Sequence, residues 1–170
     1  MSTPENGERP QESTKNESGP VRTISISIRN VQFGEGVTVV EPSNLYECRI
    51  GDNSFIGPFV EIQGGVVIGC RTRIQSHTFI CELVTIGNDC FIGHGVMFIN
   101  DLFSDRGPAV SAAGWKQTTI GDHVSIGSNA TILPVQICND VVIGAGAVVT
   151  KDISISGTYT GNPAKLLRTY

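Results

Sequence analysis

Aromatic side chains are scarce in this chain, with one Trp, three Tyr and seven Phe among 170 residues, and no basic cluster occurs anywhere. Lys and Arg number 12 against 16 Asp and Glu, for a formal net charge of −4 at pH 7. The electrostatic footprint of a nucleic-acid binder or of a protein held to an anionic membrane is therefore missing. No apolar run approaches the length that spans a bilayer, so membrane insertion is not expected. The opening residues, MSTPENGERPQ, lack the features of a secretory signal. Cysteine pairs of the CxxC type are lacking too; the five cysteines, at positions 48, 70, 81, 90 and 138, stand apart. They read as reduced packing thiols of a cytoplasmic protein. The histidines, His77, His94 and His123, show no HxxxH spacing, and no metal is expected. Residues 1–20 hold Glu, Ser, Asn, Pro and Gly with almost nothing to bury, and are expected to be a disordered polar tail.

What the chain does carry is a period of six. Apolar residues occupy 33, 39, 45; 50, 56, 62; 68, 74, 80; 86, 92, 98; 120, 126, 132; and 137, 143, 149. The next residue is often Gly, and the residue four further on is small or β-branched, as at Ser54, Thr72, Thr78 and Ala130. Six is neither the helical nor the strand period. A short extended segment followed by a bend, three times over, closes a triangular coil whose large aliphatics point inward and whose small residues fit the corners. Stacked at about 4.8 Å, six such coils make a prism of roughly 29 Å. Hairpin-based sandwiches require alternation, which this frame does not give.

The expected fold is thus all-β: a parallel β-helix of about six triangular coils over 21–155, a capping tail over 156–170, and one extruded loop at 101–119. Two third faces, Leu45 to Arg49 and Ile132 to Gln136, are one residue short. The large interruption also follows a third face: after Phe98 the next frame residue is Ile120, and DLFSDRGPAVSAAGWKQT lies between. A loop of that length, with its own Trp and Arg, points to binding.

The in-register isoleucines, IGAGAVVTKDI at 143–153 and GNPAK at 161–165 together resemble the hexapeptide-repeat acyltransferases, over about Gln32 to Arg168. The resemblance implies a left-handed β-helix, a homotrimer with sites between subunits, and acetyl-CoA or another acyl-CoA as donor. Within that superfamily, IGPFVEIQ, IQSHTFICELVTIG and FIGHGVMFIND followed by SIGSNATILPV look most like the N-acetyltransferases of nucleotide-linked 3-amino sugars. The branch acting on dTDP-3-amino-3,6-dideoxyhexoses matches best; a cousin acts on UDP-2-acetamido-3-amino-glucuronate. Both imply lipopolysaccharide or surface-glycan synthesis.

Acetyl transfer needs a donor aimed at the thioester oxygen as it becomes an oxyanion. Asn100 sits beside the departing loop and by register stacks one coil from Glu82, with His94 on the adjoining face. A hydroxyl acceptor demands a positioned base, whereas an amine with a pKa of about 8 is already nucleophilic. The O-acetylating relatives carry Asn-His at this corner; here the pair is Asn100-Asp101, which favours an amine. An O-acetyltransferase remains the alternative. His94, as a hydrogen-bond partner of the sugar or its amine, joins Asn100 as a catalytic candidate; His77, Glu82 and Asp101 are candidates for the sugar, and Trp115 either stacks on the nucleotide base or packs on the prism. His123 reads as an exposed turn residue. By resemblance, Ser128 and Ala145 line the coenzyme A groove, Asn162 and Pro163 lie near the adenine, and Lys151, Lys165 and Arg168 meet the phosphates.

Overall fold

The computed structural model describes residues 27–104 and 106–170; the expected polar tail at 1–20 lies outside the described residues. The chain winds into three parallel sheets that form the faces of a prism. The first face stacks strands from Gln32–Phe33 to Gln136–Ile137, the second from Thr38–Val39 to Val141–Ile143, and the third from Ile28–Arg29 to Val148–Val149. Every strand of the hexapeptide frame pairs in parallel with the strand one coil away, as in Phe91↔Arg73 and Ile92↔Ile74. This is the parallel β-helix that the period requires, consistent with left-handed winding, and it has about seven turns rather than six. The extra layers are the strand Ile28–Arg29 below and Gly157–Thr160 above. The latter continues the second face in parallel, and Lys165–Thr169 folds back on it antiparallel. The tail that was expected to cap the stack is therefore a hairpin that extends one sheet.

The core is a column of aliphatics with Phe98 as its largest fully buried side chain: Ile56, Ile62, Ile74, Ile80, Ile92, Phe98 and Ile132 are wholly buried. Phe33 is the departure, at 43% exposed. It belongs to the terminal strand of the first face, so no further coil closes over it.

Corner residues explain why the fourth position is small and often hydroxylic. Ser54 Oγ donates to the Gly69 carbonyl (2.9 Å) and accepts the Thr72 N–H (3.1 Å). Thr72 Oγ1 repeats the pattern with Gly87 O (2.9 Å) and Cys90 N–H (3.1 Å). Cys90 Sγ in turn donates to Gly121 O at 3.1 Å. Two residues past the frame isoleucines, Asp52, Asn88, Asp122 and Asn139 accept backbone N–H groups across the coils. Gly87 is needed there because a Cβ would lie 2.7 Å from the Gly121 carbonyl. On the same edge Arg71 grips Asp89 with two bonds of 2.7 Å, and His123 stands between Asp89 and Asp140 at 3.7 and 3.3 Å. His123 is exposed and belongs to this charged ladder, and the guanidinium beside Asp89 holds its carboxyl below the usual range.

Two expectations follow. Thr72→Val removes a hydroxyl that serves two buried backbone groups, which costs about 1–3 kcal/mol and lowers the melting midpoint by roughly 3–10 °C in a circular-dichroism melt. Burial pushes the Cys48, Cys81 and Cys90 thiols up to about 11, leaving a thiolate fraction on the order of one in a thousand at pH 8. Ellman's reagent at that pH is expected to titrate the half-buried Cys70 and Cys138 promptly, and the other three only after denaturation.

Candidate functional site

The extruded loop leaves the stack where the third face turns into the first, and its base is built from Asn100. Asn100 Nδ2 donates to the Glu82 carbonyl at 3.3 Å, as the one-coil register requires. The Glu82 N–H in turn reaches Gln63 Oε1 at 3.4 Å. One amide hydrogen of Asn100 is thereby spent, while the second and Oδ1 are left for a ligand. The loop closes on the same residue, since Lys116 N–H donates to Asn100 O at 2.8 Å. Beyond the loop, Thr118 N–H bonds Leu83 O at 3.0 Å, and Val84–Ile86 pairs with Thr118–Ile120, so the stack continues as if nothing had intervened.

Asp101 also holds the loop together. Its two carboxylate oxygens accept the N–H groups of Phe103 (2.9 Å) and Ala109 (2.7 Å). The carboxylate folds the loop onto itself. Trp115 is half-buried at the loop's return, just after the short turn Ala112–Gly114. Glu82 is half-buried. Burial, and then the carboxylates of Glu61 and Glu82, hold the Tyr46 phenol above its ordinary value, so this corner is acidic and uncharged at tyrosine. Lys151 follows Val149 at the same corner, exposed.

The other expected residues stand at the opposite edge of the third face, where the second face turns into it. His94 is exposed, with Nδ1 2.8 Å from Ser76 Oγ, which leaves Nε2 facing solvent. His77 is exposed one coil below and stacks on Phe59, with ring centroids 4.9 Å apart. Ser128 and Ala145 continue the column upward, joined by Gly146 N–H to Ser128 O at 2.8 Å. The turn holding Asn162 and Pro163 is tied to the same edge: Val148 N–H donates to Gly161 O (3.0 Å) and Ala164 N–H to Val148 O (2.8 Å). Lys165 and Arg168 lie exposed on the hairpin strand beyond it, with Arg168 Nε 3.3 Å from Thr158 Oγ1.

The fold therefore sorts the expected residues into two rims flanking the third face. Asn100, Asp101, Glu82, Trp115 and Lys151 form one. His77, His94, Ser128, Ala145, Asn162 and Pro163 form the other. Lys151, expected beside Lys165 and Arg168, is parted from them by the width of that face. Sequence reasoning missed Ser76 and Phe59; both partners lie eighteen residues from theirs, one full coil, and reading the chain at that offset finds them.

Two family models match this stack: the bacterial transferase hexapeptide over residues 47–82, and the hexapeptide repeat of succinyl-transferase over residues 117–151. Both matches are to the hexapeptide repeat of transferases, one on each side of the extruded loop. Among individual relatives, the bifunctional protein GlmU of Synechococcus elongatus is 32% identical over 136 residues, covering 74% of this chain and 29% of that protein. The chain spans about a third or less of the length of such curated relatives. Among solved structures, a mutant of AntD, an N-acyltransferase from Bacillus cereus in complex with dTDP and coenzyme A, superposes with a TM-score of 0.72. It is 23% identical, over 81% of this chain and 83% of that one. A hexapeptide-repeat acetyltransferase from Vibrio cholerae complexed with acetyl-coenzyme A follows at 0.56, 24% identical over 75% and 70% of the two chains.

The loop geometry has a direct test. Asp101→Ala frees two backbone N–H groups and should open the loop, so trypsin is expected to cut after Arg106 several-fold faster, while the melting midpoint stays within about 2 °C. Unchanged cleavage would show that other contacts hold the loop.

Proposed function

We propose that the chain transfers acetyl from acetyl-CoA to the C3 amine of a nucleotide-linked sugar, dTDP- or else UDP-bound, in surface-glycan biosynthesis. The observation that carries this reading is the Asn100-Asp101 corner. It holds a carboxamide with a free hydrogen, followed by a carboxylate whose oxygens are already engaged with Phe103 and Ala109. Such a corner can receive an oxyanion yet supplies no imidazole to activate a hydroxyl. An amine needs no such group. The AntD neighbour, an N-acyltransferase solved with dTDP and coenzyme A, supports the same acceptor class.

In this reading the neutral amine attacks the thioester carbon, the Asn100 amide steadies the developing oxyanion, and the C–S bond breaks to release the thiol. His94, held by Ser76 at Nδ1, hydrogen-bonds the sugar or its amine through Nε2, and the amine's proton leaves to water or to the departing coenzyme A sulfur. Acetyl-CoA supplies the activated acyl group. Its thin arm runs along Ser128 and Ala145, its adenine reaches Asn162 and Pro163, and Lys165 and Arg168 meet its phosphates. Lys151, at the other rim, serves a phosphate only of a molecule bound against a neighbouring prism. The two rims on opposite edges of one face are what a homotrimer would use, each cleft taking one rim from each of two copies.

Thiol release from acetyl-CoA, followed with 3-amino and 4-amino dTDP and UDP sugars and their hydroxyl counterparts, tests the reading. Turnover is expected with a 3-amino sugar and not with the hydroxyl counterpart. Asn100→Ala should lower kcat by about 10²- to 10³-fold, the loss that follows removal of one oxyanion donor. Transfer to the hydroxyl sugars alone would replace this reading with the O-acetyltransferase. Sedimentation of the active enzyme as a monomer would remove the shared cleft.

A further inference from the structure

Resting on the sugar-nucleotide reading above, we infer that the pyrimidine base of the substrate stacks on Phe59, in the cavity between Phe59 and Pro42, with Asn44 and Glu61 on its edge. Nothing in the repeat asks for a phenylalanine there. Phe59 occupies a corner with φ of 59°, in the left-handed region where the equivalent positions two and four coils up hold Gly95 and Gly146. A bulky residue in that conformation is an outlier of the kind that collects at binding sites. Its side chain is 57% exposed and contributes nothing to the buried column. One ring face is backed by His77, at 4.9 Å and 30° between planes, which fixes the phenyl's orientation.

The other side opens on a cavity of about 200 Å³ lined by Pro42, Ser43, Asn44, Phe59, Val60 and Glu61. Its buried hydroxyl is already satisfied, because Ser43 Oγ serves the Val40 and Gly57 carbonyls. The floor therefore offers apolar surface to a flat ring. Its rim offers a matched pair. Asn44 and Glu61 are direct neighbours on the third face. Arg29 Nη1 donates to Asn44 Oδ1 at 2.9 Å, which leaves the amide N–H₂ as the free end. Gln63 Nε2 donates to Glu61 Oε1 at 3.2 Å, which leaves Oε2. One donor and one acceptor side by side complement a uracil or thymine edge, where a carbonyl adjoins an N–H.

The position along the prism fits the rest of the molecule. Phe59, His77 and His94 are consecutive steps of one edge, so His94 stands about 10 Å above Phe59. A base at Phe59 sends its diphosphate past the His77 ring edge and its sugar to His94 and Ser76. The coenzyme comes down the same edge from Asn162 and Ala145. The two substrates then meet end to end.

The test is calorimetric titration with dTDP and UDP, and steady-state kinetics with the sugar nucleotide, on the full chain and on Phe59→Ala, Phe59→Trp and Glu61→Gln. Phe59→Ala is expected to weaken dTDP or UDP binding and raise the KM of the sugar nucleotide by about 10- to 100-fold, the span of one lost base stack. The kcat and the KM of acetyl-CoA should be unmoved, and Phe59→Trp should restore affinity. Glu61→Gln should weaken binding without changing kcat. If the wild type acetylates a sugar nucleotide and Phe59→Ala does so with the same KM, this site is wrong and the proposed function stands. If Phe59→Ala loses affinity only together with its sedimentation coefficient, the residue is an interface contact and the inference fails. If the wild type binds neither dTDP nor UDP, the sugar-nucleotide reading falls first.

Discussion

The requirement that each coil satisfy the backbone of the next governs this molecule. Strands of two or three residues cannot sustain a sheet alone, and here each is stabilised only because an equivalent strand lies one coil below and another above. Stacking in register puts like residues on like: Ile56 on Ile74, Ile92 on Ile126, Ile62 on Ile80. A buried isoleucine therefore meets an isoleucine, and a corner hydroxyl meets a backbone carbonyl of the coil above. The same constraint makes corners expensive, since a bend interrupts the ladder. Ser54, Thr72 and Cys90 on one layer, with Asp52, Asn88, Asp122 and Asn139 on another, supply the missing bonds.

Extrusion of the loop is permitted by the same logic. Chain can be inserted at a corner without loss if the coils on either side still pair, and Val84, Thr85 and Ile86 do meet Thr118, Thr119 and Ile120. What the insertion changes is the corner's surface. It places Asn100 at a point where one amide hydrogen is not absorbed by the stack, next to a carboxylate that keeps the loop folded. The fold supplies rigidity at Asn100 and an exposed loop just beyond it, which is the usual division between scaffold and binding loop.

How far the sequence revealed this depended on whether a residue's role is periodic. The aliphatic column and the place of the loop follow from spacing alone. So does the Asn100–Glu82 contact, because both lie on the same step of successive coils. The ends of the stack were less legible: Phe33 fits the frame yet is exposed, since the frame cannot say where covering coils stop. Ile28–Arg29 and the final hairpin fall outside the frame altogether. The loop-folding bonds of Asp101 were not legible because its partners, two and eight residues away, belong to irregular backbone with no spacing signal. Phe59 carries no core periodicity, and only an offset of one coil connects it to His77.

That last pattern bears on how such a scaffold acquires specificity. Contacts at an offset of eighteen recur along the edges, as Arg71 with Asp89, Ser76 with His94 and Phe59 with His77. Each edge is thus a column of independent positions in which a substitution alters one step and leaves the core isoleucines untouched. One edge of the third face has been filled with histidine, serine and phenylalanine, whereas the edge between the first and second faces has been filled with an ion ladder. An ion ladder exposed to water contributes little stability and attracts no particular ligand. Aromatic and imidazole rings held at fixed heights can bind the successive parts of an extended molecule. On the proposed reading, the length of the ligand is matched to a number of coils, and the order of the rings along the edge sets which end of the ligand lies nearest the coenzyme.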